Sequence, residues 1–442
     1  MNEELFTTMP VPKAYFKLAL PVMFSNVLML VYNMVDMYFI AKTGNTSLVA
    51  GVALCGPIFS LLIAFGDIFG LGGASVISRL FGSGSYEDGK RNSVFVFLGS
   101  VIFGAAAAIL LTVFSGPVLS LLGADAETLP YAAGYYRWIV LGAPLVVFSL
   151  VPTNLLRTEG RATEAMIGSV LGSVINMILD PIFIFTLGMG AAGAAIATVI
   201  GNIASDIFYI YVITRHSQNL ALWVRNFRIS LGEIGAIMQI GIPSSITNLM
   251  QSIAVMLLNR FLLPYGNDKI AAMGIVSRVI MIVIMIMISF AFGGQPLYGY
   301  LIGAGNKKRL REVLSFAYKL VCGIGLGLAA TFIILAPQMI RLLMNDAQII
   351  EIGAPMLRII LCGMPLIGFT LVTTCLFQSA GKGGGALILS AGRQGYIYAV
   401  VLLIASALFG YYGVLAAQPV ADALTAVLAF AIRGKFVGDL LE

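Results

Sequence analysis

Apolar positions along this chain run in long blocks separated by short polar segments. Most blocks hold about 20 residues or more, enough for a helix rising 1.5 Å per residue to cross roughly 30 Å of hydrocarbon. Twelve such blocks follow one another, over residues 14–41, 47–78, 92–118, 131–156, 164–186, 192–214, 233–261, 270–302, 312–335, 350–378, 385–409 and 412–433. They predict an all-α membrane protein with twelve transmembrane helices. The first block is long and has no small-residue cleavage pattern after the acidic start "MNEELF", so it is predicted to stay as a helix and not to leave as a signal peptide.

Composition strengthens this reading. Of the 442 residues 59% are hydrophobic and 10% charged, whereas soluble domains carry roughly a quarter charged residues. The mean hydropathy is +0.97. A net charge of +6 would by itself admit a nucleic-acid partner, but the placement of the charges argues for topology instead. Basic residues gather in alternate loops: Arg79, Lys90 and Arg91; Arg157 and Arg161; Arg215, Arg225 and Arg228; Lys307, Lys308, Arg309 and Arg311; then Arg433 and Lys435. The intervening loops are short or acidic, with Asp125, Glu127 and Asp346. The positive-inside rule then predicts both termini in the cytoplasm; the chain is expected in the inner (plasma) membrane, with no nucleic acid as partner. Cys55, Cys322, Cys362 and Cys375 have no metal-ligand or disulfide spacing, and the single histidine, His216, falls in a loop.

The sequence also repeats itself. At an offset of 221 or 222 residues "LALPVMFSNVL" (18–28) matches "QIGIPSSITNLM" (239–250), pairing Pro21 with Pro243 and Asn26 with Asn248. "GLGGASVISRLFGSGS" (70–85) matches "AFGGQPLYGYLIGAGN" (291–306), and "PLVVFSLVPTNLLRTEGR" (144–161) matches "PLIGFTLVTTCLFQSAGK" (365–382). Each half therefore holds six helices. Six is even, so the halves enter and leave on the same side and are related by a pseudo-two-fold axis along the membrane normal, a plan common among secondary transporters. The expected domains are an N-lobe over 1–213, a basic cytoplasmic linker over 214–232 and a C-lobe over 233–442.

Polar residues inside the apolar blocks are the candidate chemistry, because a charge at mid-bilayer costs about 2.5–3.5 kcal/mol on insertion scales and usually faces a protein interior or a wet cavity. In "VINMILDPIFIF" (174–185) Asn176 and Asp180 lie one turn apart on one face. Asp36 in the first helix, Asp180 in the fifth and Thr198 in the sixth all fall on the order of 8 Å below the outer boundary. Asn33 lies three residues before Asp36. Two carboxylates at one level in a low-dielectric pocket cannot both stay ionised cheaply, so a proton or a small cation is expected there. Two carboxylates, an amide and a hydroxyl also suit a hard cation such as Na⁺. On the repeat offset Asp36 falls on Leu258, Asn176 on Ile397, Asp180 on Val401 and Thr198 on Gln418, so the scaffold is duplicated and the acids are not. Asp67 in "AFGDIFG" either draws in a cationic substrate or pairs with a basic residue such as Arg278. Asp206 shares a face with Thr198 and Asn202, and Asp422 has Arg393 as a conceivable partner. Both are expected to be structurally paired.

These residues resemble the multidrug and toxic compound extrusion (MATE) family, especially its bacterial branch with the DNA-damage-inducible transporters and the MepA-like exporters. The resemblance rests on "ALPVMFSNVLMLVYNMVDMYFIAKTGN", "GGASVISRLFGSGSYEDGKR" with its counterpart "GGQPLYGYLIGAGNKKRL", "LLRTEGRATEAM", "INMILDPIFIF", "GAAGAAIATVI" and "GVLAAQPVADAL". It implies two six-helix lobes around a V-shaped cavity and efflux of cationic or amphipathic compounds driven by inward H⁺ or Na⁺. It also implies a cation site at Asp36, Asn176, Asp180 and Thr198, with Tyr32 and Asn154 beside the N-lobe cavity. Helices 7 and 10 hold no counterpart of the C-lobe acids found in another branch.

The expected function is thus secondary active multidrug antiport, with Asp36, Asn176, Asp180 and Thr198 holding H⁺ or Na⁺. Tyr32, Asn33, Asn154 and Asp67 are expected to line the substrate cavity. No cofactor is expected besides the coupling ion, and the partners are small organic substrates and membrane lipid, with the protein a monomer. A lipid-linked oligosaccharide or other lipid flippase is the alternative; such a protein is expected to carry a more basic central cavity. An enzyme is not expected, since no nucleophile and base pair or HExxH motif is present.

Overall fold

A computed structural model of the chain describes residues 3–223 and 228–441, so Arg225, one of the basic linker residues, lies outside the described part, as does the side chain of Asn248. After a short helix over Glu3–Thr7 the described residues form α1 (Val11–Lys42), α2 (Thr46–Gly82), α3 (Tyr86–Val113), α4 (Leu129–Leu141 with Ala143–Thr158), α5 (Ala162–Thr186) and α6 (Gly190–Arg215). The second half gives α7 (Leu231–Tyr265), α8 (Asn267–Gly303), α9 (Lys307–Ile334), α10 (Ala347–Leu361 with Met364–Ser379) and a last helical stretch over Gly383–Leu440. Bends of 53° in α4 and 46° in α10 fall at Gly142 and at Cys362–Gly363, so each pair makes one broken span. The last stretch has 58 residues, far more than one crossing needs. It is broken at Gly410, whose φ of 56° and ψ of −129° only glycine adopts without strain, and the two pieces, 383–409 and 411–440, are α11 and α12. The twelve expected spans are therefore all present.

The repeat is visible in the turns. Positive-φ glycines of the first half recur in the second: Gly44 and Gly266, Gly84 and Gly305, Gly160 and Gly381, Gly190 and Gly410. Gly410 thus opens α12 as Gly190 opens α6.

By contacts the chain forms two compact units. One contains residues up to Thr8 and Phe24–Ile242; the other contains Met9–Met23 and everything from Pro243 onward. The chain passes from one unit to the other between Thr8 and Met9, inside α1 just after Pro21, and inside α7 at Pro243. Each proline removes one backbone N–H from its helix and so loosens it there.

Close glycine contacts explain where each leading half-helix packs. In the second unit a Cβ on Gly293 would stand 2.5 Å from the Ala19 backbone, and Tyr15 is buried with its hydroxyl donating to the Phe290 carbonyl at 2.8 Å and 3.1 Å from the Tyr298 hydroxyl. In the first unit the matching residues do the same work, with Gly72 against the Ile237 carbonyl and Gly241 against the Ile68 carbonyl. Elsewhere in the first unit Leu62, Ile139, Ala143, Val147 and Ala195 form a buried apolar core between α2, α4 and α6.

The segment after α6 belongs to the first unit and is tied down. Glu159, fully buried, accepts from the Asn219 backbone N–H at 2.8 Å and pairs with Arg161 at 3.5 Å. The Ser93 hydroxyl bonds the Ala221 carbonyl at 3.1 Å and accepts from its N–H at 3.0 Å. Farther on, Glu233 accepts from the Asn92 amide at 3.0 Å and from the Ser230 N–H at 2.8 Å. His216 is exposed and its carbonyl accepts from Arg161. On the other face, the Thr128 backbone N–H and hydroxyl hold the exposed Asp125 carboxyl below the usual carboxylate range. That stabilisation of the turn is present above the ordinary carboxylate pKa and is lost as pH falls through the depressed one.

Replacing Glu159 by Ala leaves the half-buried Asn219 N–H without its acceptor, at a cost of about 1 kcal/mol. Hydrogen exchange over 216–221 is expected to speed up in Glu159→Ala and to stay close to wild type in Glu159→Gln, which keeps a carbonyl oxygen at that place.

Candidate functional site

The site begins with two glycines. α5 and α6 cross at Gly172 and Gly201, where a Cβ on either would stand 2.7 Å from the carbonyl oxygen of the other. Backbone-to-backbone approach of this kind is what small residues permit between membrane helices. One turn further along α5 comes Asn176 and about one turn before Gly201 on α6 comes Thr198, so the same crossing brings the two together. The Asn176 amide donates to the Thr198 hydroxyl at 3.1 Å, and that hydroxyl donates to the Ala194 carbonyl at 3.0 Å. Asn176 therefore turns its carbonyl oxygen, which has no partner, the other way.

One turn beyond Asn176 is Asp180, with no exposed surface and no hydrogen-bond partner of ordinary geometry on either oxygen. Pro181 follows and cannot donate to the preceding turn, and the helix continues as a π turn over Ile182–Thr186, closed by the Leu187 N–H on the Ile182 carbonyl at 2.9 Å. Such π turns recur at functional sites. From the second half of α1, Asp36 presents its half-buried carboxyl to Asp180 and the two interact directly through their side chains. Tyr32, one turn earlier, hydrogen-bonds with the Thr198 side chain.

Five of the expected residues thus meet in the first unit: Tyr32, Asp36, Asn176, Asp180 and Thr198. Tyr135 on α4 joins them, near enough to both carboxylates and to Tyr32 to feel their charge. Sequence reasoning missed it, because only the intramembrane acids and their amide and hydroxyl neighbours were followed; an aromatic hydroxyl at the level of the acids was the available signal. The other three lie apart. Asn33 is exposed. Asn154 packs over Gly70, where a Cβ would stand 2.8 Å from its amide nitrogen, and donates to the Leu150 carbonyl at 2.9 Å. Asp67 lies within electrostatic reach of Arg157 on α4.

The remaining membrane acids differ in their company. Asp422 on α12 accepts from the Gln418 amide at 3.0 Å and stands 3.9 Å from the Arg393 guanidinium, the partner its sequence position suggested. Asp206 accepts a 2.5 Å hydrogen bond from the Ser149 hydroxyl and pairs with no basic side chain among the described residues.

The donor set at Asp36 and Asp180 is made only of oxygen atoms from carboxylates, an amide and hydroxyls, which fits a proton or a monovalent hard cation. Among the described residues no three His, Cys, Asp or Glu side chains gather to hold a metal ion. A pair of unneutralised carboxylates buried in one half of a twelve-helix tandem repeat belongs to a membrane transporter. The MatE family model matches residues 21–182 and again 243–404, the second match lying 222 residues after the first, and the chain belongs to this family. It is 30% identical to the multidrug export protein MepA of Staphylococcus haemolyticus over 431 residues, 97% of this chain and 95% of that protein. MepA of Staphylococcus aureus is also 30% identical, over 99% of this chain and 97% of that one. Among solved structures, a multidrug resistance MATE family transporter of the MOP superfamily in its outward-facing conformation superposes with a TM-score of 0.93 at 27% identity, covering 99% and 98% of the two chains. A MOP superfamily transporter from Pyrococcus furiosus, described as having a reversed polarity of its binding pocket that suggests a different function, gives 0.92 at 28% identity over the same shares.

A side chain at the crossing drives α5 and α6 apart. Gly201→Leu is expected to destabilise the protein by about 1–3 kcal/mol and to lower its melting temperature in detergent. Gly134→Ala, whose Cβ would meet only the Ala192 Cβ at 3.7 Å, is the control expected to leave it unchanged.

Proposed function

We propose that the protein is a secondary active antiporter that exports cationic or amphipathic organic compounds in exchange for H⁺ or Na⁺. The observation that carries this reading is the Asp36 and Asp180 pair, one carboxyl half-buried and the other fully buried, with three orphaned oxygens between them and, among the described residues, no basic side chain to neutralise them. Burying such a pair costs several kcal/mol unless a cation or a proton compensates, and a site that needs a cation in one state can give it up in another. Asn176, Thr198 and Tyr32 supply the neutral oxygens that hold and orient what binds there. Uptake of the ion changes the charge at the second half of α1, which is loosened at Pro21, and this half-helix is the element whose position the ion biases. The name of the relatives, multidrug export protein, supports a broad small-molecule specificity. The acidic character of the pair favours cations over the pyrophosphate of a lipid-linked sugar. In this reading both termini face the cytoplasm, the protein lies in the plasma membrane as a monomer, and it uses no cofactor and catalyses no reaction.

Efflux of several organic cations from proteoliposomes under separately imposed pH and Na⁺ gradients tests the proposal. Asp180→Asn and Asp36→Asn are each expected to lower gradient-driven efflux by about tenfold or more. Either variant keeping the full driven rate of the wild type overturns the assignment.

A further inference from the structure

The acids of the first unit continue below the site. On α6 the residues Thr198, Asn202 and Asp206 follow one another at a spacing of four along one face, and the Asn202 amide donates to the Thr198 carbonyl at 2.9 Å. Asp206 is 4% exposed, and its Oδ1 accepts from the Ser149 hydroxyl on α4 while its Oδ2 has no partner. A carboxylate kept for structure is expected to have a counter-ion, as Asp422 of the other unit has in Arg393 at 3.9 Å, with Gln418 donating a hydrogen bond to it. Asp206 has one neutral hydroxyl in their stead. On the offset of 220 that pairs Thr198 with Gln418, Asp206 falls on Ala426, so this acid too belongs to one repeat only. The titratable and charged groups around it are few. Tyr209, three residues on along α6, bonds Ser169 of α5 at 2.9 Å and Thr153 of α4 at 3.1 Å and feels the charge of Asp206. Arg157 of α4 interacts with Tyr209 and with Asp67 of α2, and on α5 the charged neighbour in the first turn is Glu164, which pairs with Arg161 at 2.8 Å.

We infer that Asp206 is a relay carboxylate that receives the coupling proton from the Asp36 and Asp180 pair and passes it to the cytoplasmic side. The inference rests on the proton form of the antiport reading above. Asp206 lies about 12 Å along the helix from Thr198, so the transfer runs over bridging water. The O–H bond on the pair breaks, each water accepts one proton and gives up another, and an O–H bond forms on Oδ2 of Asp206. The proton then leaves to cytoplasmic water beside Tyr209 and Thr153, and Asp206 returns to the carboxylate. No electron changes hands, and water is the only co-reactant. Ser149, holding Oδ1, leaves Oδ2 turned to the path and is a positioning residue. Chains of intramembrane acids serve proton relays in pumps and transporters, and an acid without a counter-ion is the member that can cycle.

The experiment reconstitutes the full chain with ethidium as the transported probe. Two rates are compared: net efflux driven by an imposed pH gradient, and ethidium exchange at equal pH on both sides, which needs no net proton movement. Asp206→Asn is expected to lower the driven rate by about tenfold or more and to leave exchange within about twofold, while Asp206→Glu restores most of the driven rate. Driven efflux close to wild type in Asp206→Asn overturns the relay. So does an equal loss of both rates that Asp206→Glu does not repair, since that marks a structural carboxylate. Asp180→Asn, run beside it, separates the two ideas: if it keeps pH-driven efflux, or if the wild type answers only to Na⁺, the proton reading falls and the relay with it. If Asp180→Asn is inactive and Asp206→Asn is not, the relay alone falls.

Discussion

The approach of α5 and α6 at Gly172 and Gly201 is the contact on which the site depends. With hydrogen atoms in place of side chains at both positions the two backbones come within reach of each other's carbonyls, and the next turn on each helix is set. That places the Asn176 amide on the Thr198 hydroxyl, fixes which way the Asn176 carbonyl points, and sinks Asp180 out of contact with solvent. Only then does Asp36 on α1 meet a second carboxyl, with no basic residue between them among the described residues. Two such groups in a medium of low polarity are a standing electrostatic cost, and a bound proton or small cation removes it. The chemistry of the site is therefore a consequence of how closely two backbones pack.

The same principle decides how the chain is shared between its two contact units. Glycines at equivalent points of α2 and α8 receive the leading halves of α7 and α1, and each of those helices carries a proline where it leaves one unit for the other. The segment joining the repeats is held to the first unit at both ends, by Glu159 and Ser93 on one side and by Asn92 on the other. It behaves as part of that unit. Two of the three places where the backbone passes between the units lie inside helices interrupted by a proline, which is where a helix bends most easily.

Much of this was legible in the residues alone. Long apolar blocks specify membrane helices because a backbone in hydrocarbon must satisfy its own hydrogen bonds, and so the twelve spans emerged without tertiary information, even through the 58-residue stretch that Gly410 divides. The rise per residue also fixed the common depth of Asp36, Asp180 and Thr198, and the repeat showed that these acids have no twin. Other residues escaped the same reasoning. Tyr135 reaches the carboxylates from a helix with no acid of its own, and only the fold shows that Asn33 is exposed and that Asn154 packs over Gly70.

Sequence by itself therefore determined what lies at each height in the membrane and which half of the chain carries charge, because both follow from a constant rise and a count of residues. Tertiary structure decided what stands beside each group at that height. Lateral neighbours depend on where helices cross and how they are rotated, and here the crossing is set by glycine contacts between segments far apart in the chain. That is why Asp422 and Asp206, alike as intramembrane acids, separate only in the fold: one has a guanidinium 3.9 Å away, and the other has a serine hydroxyl.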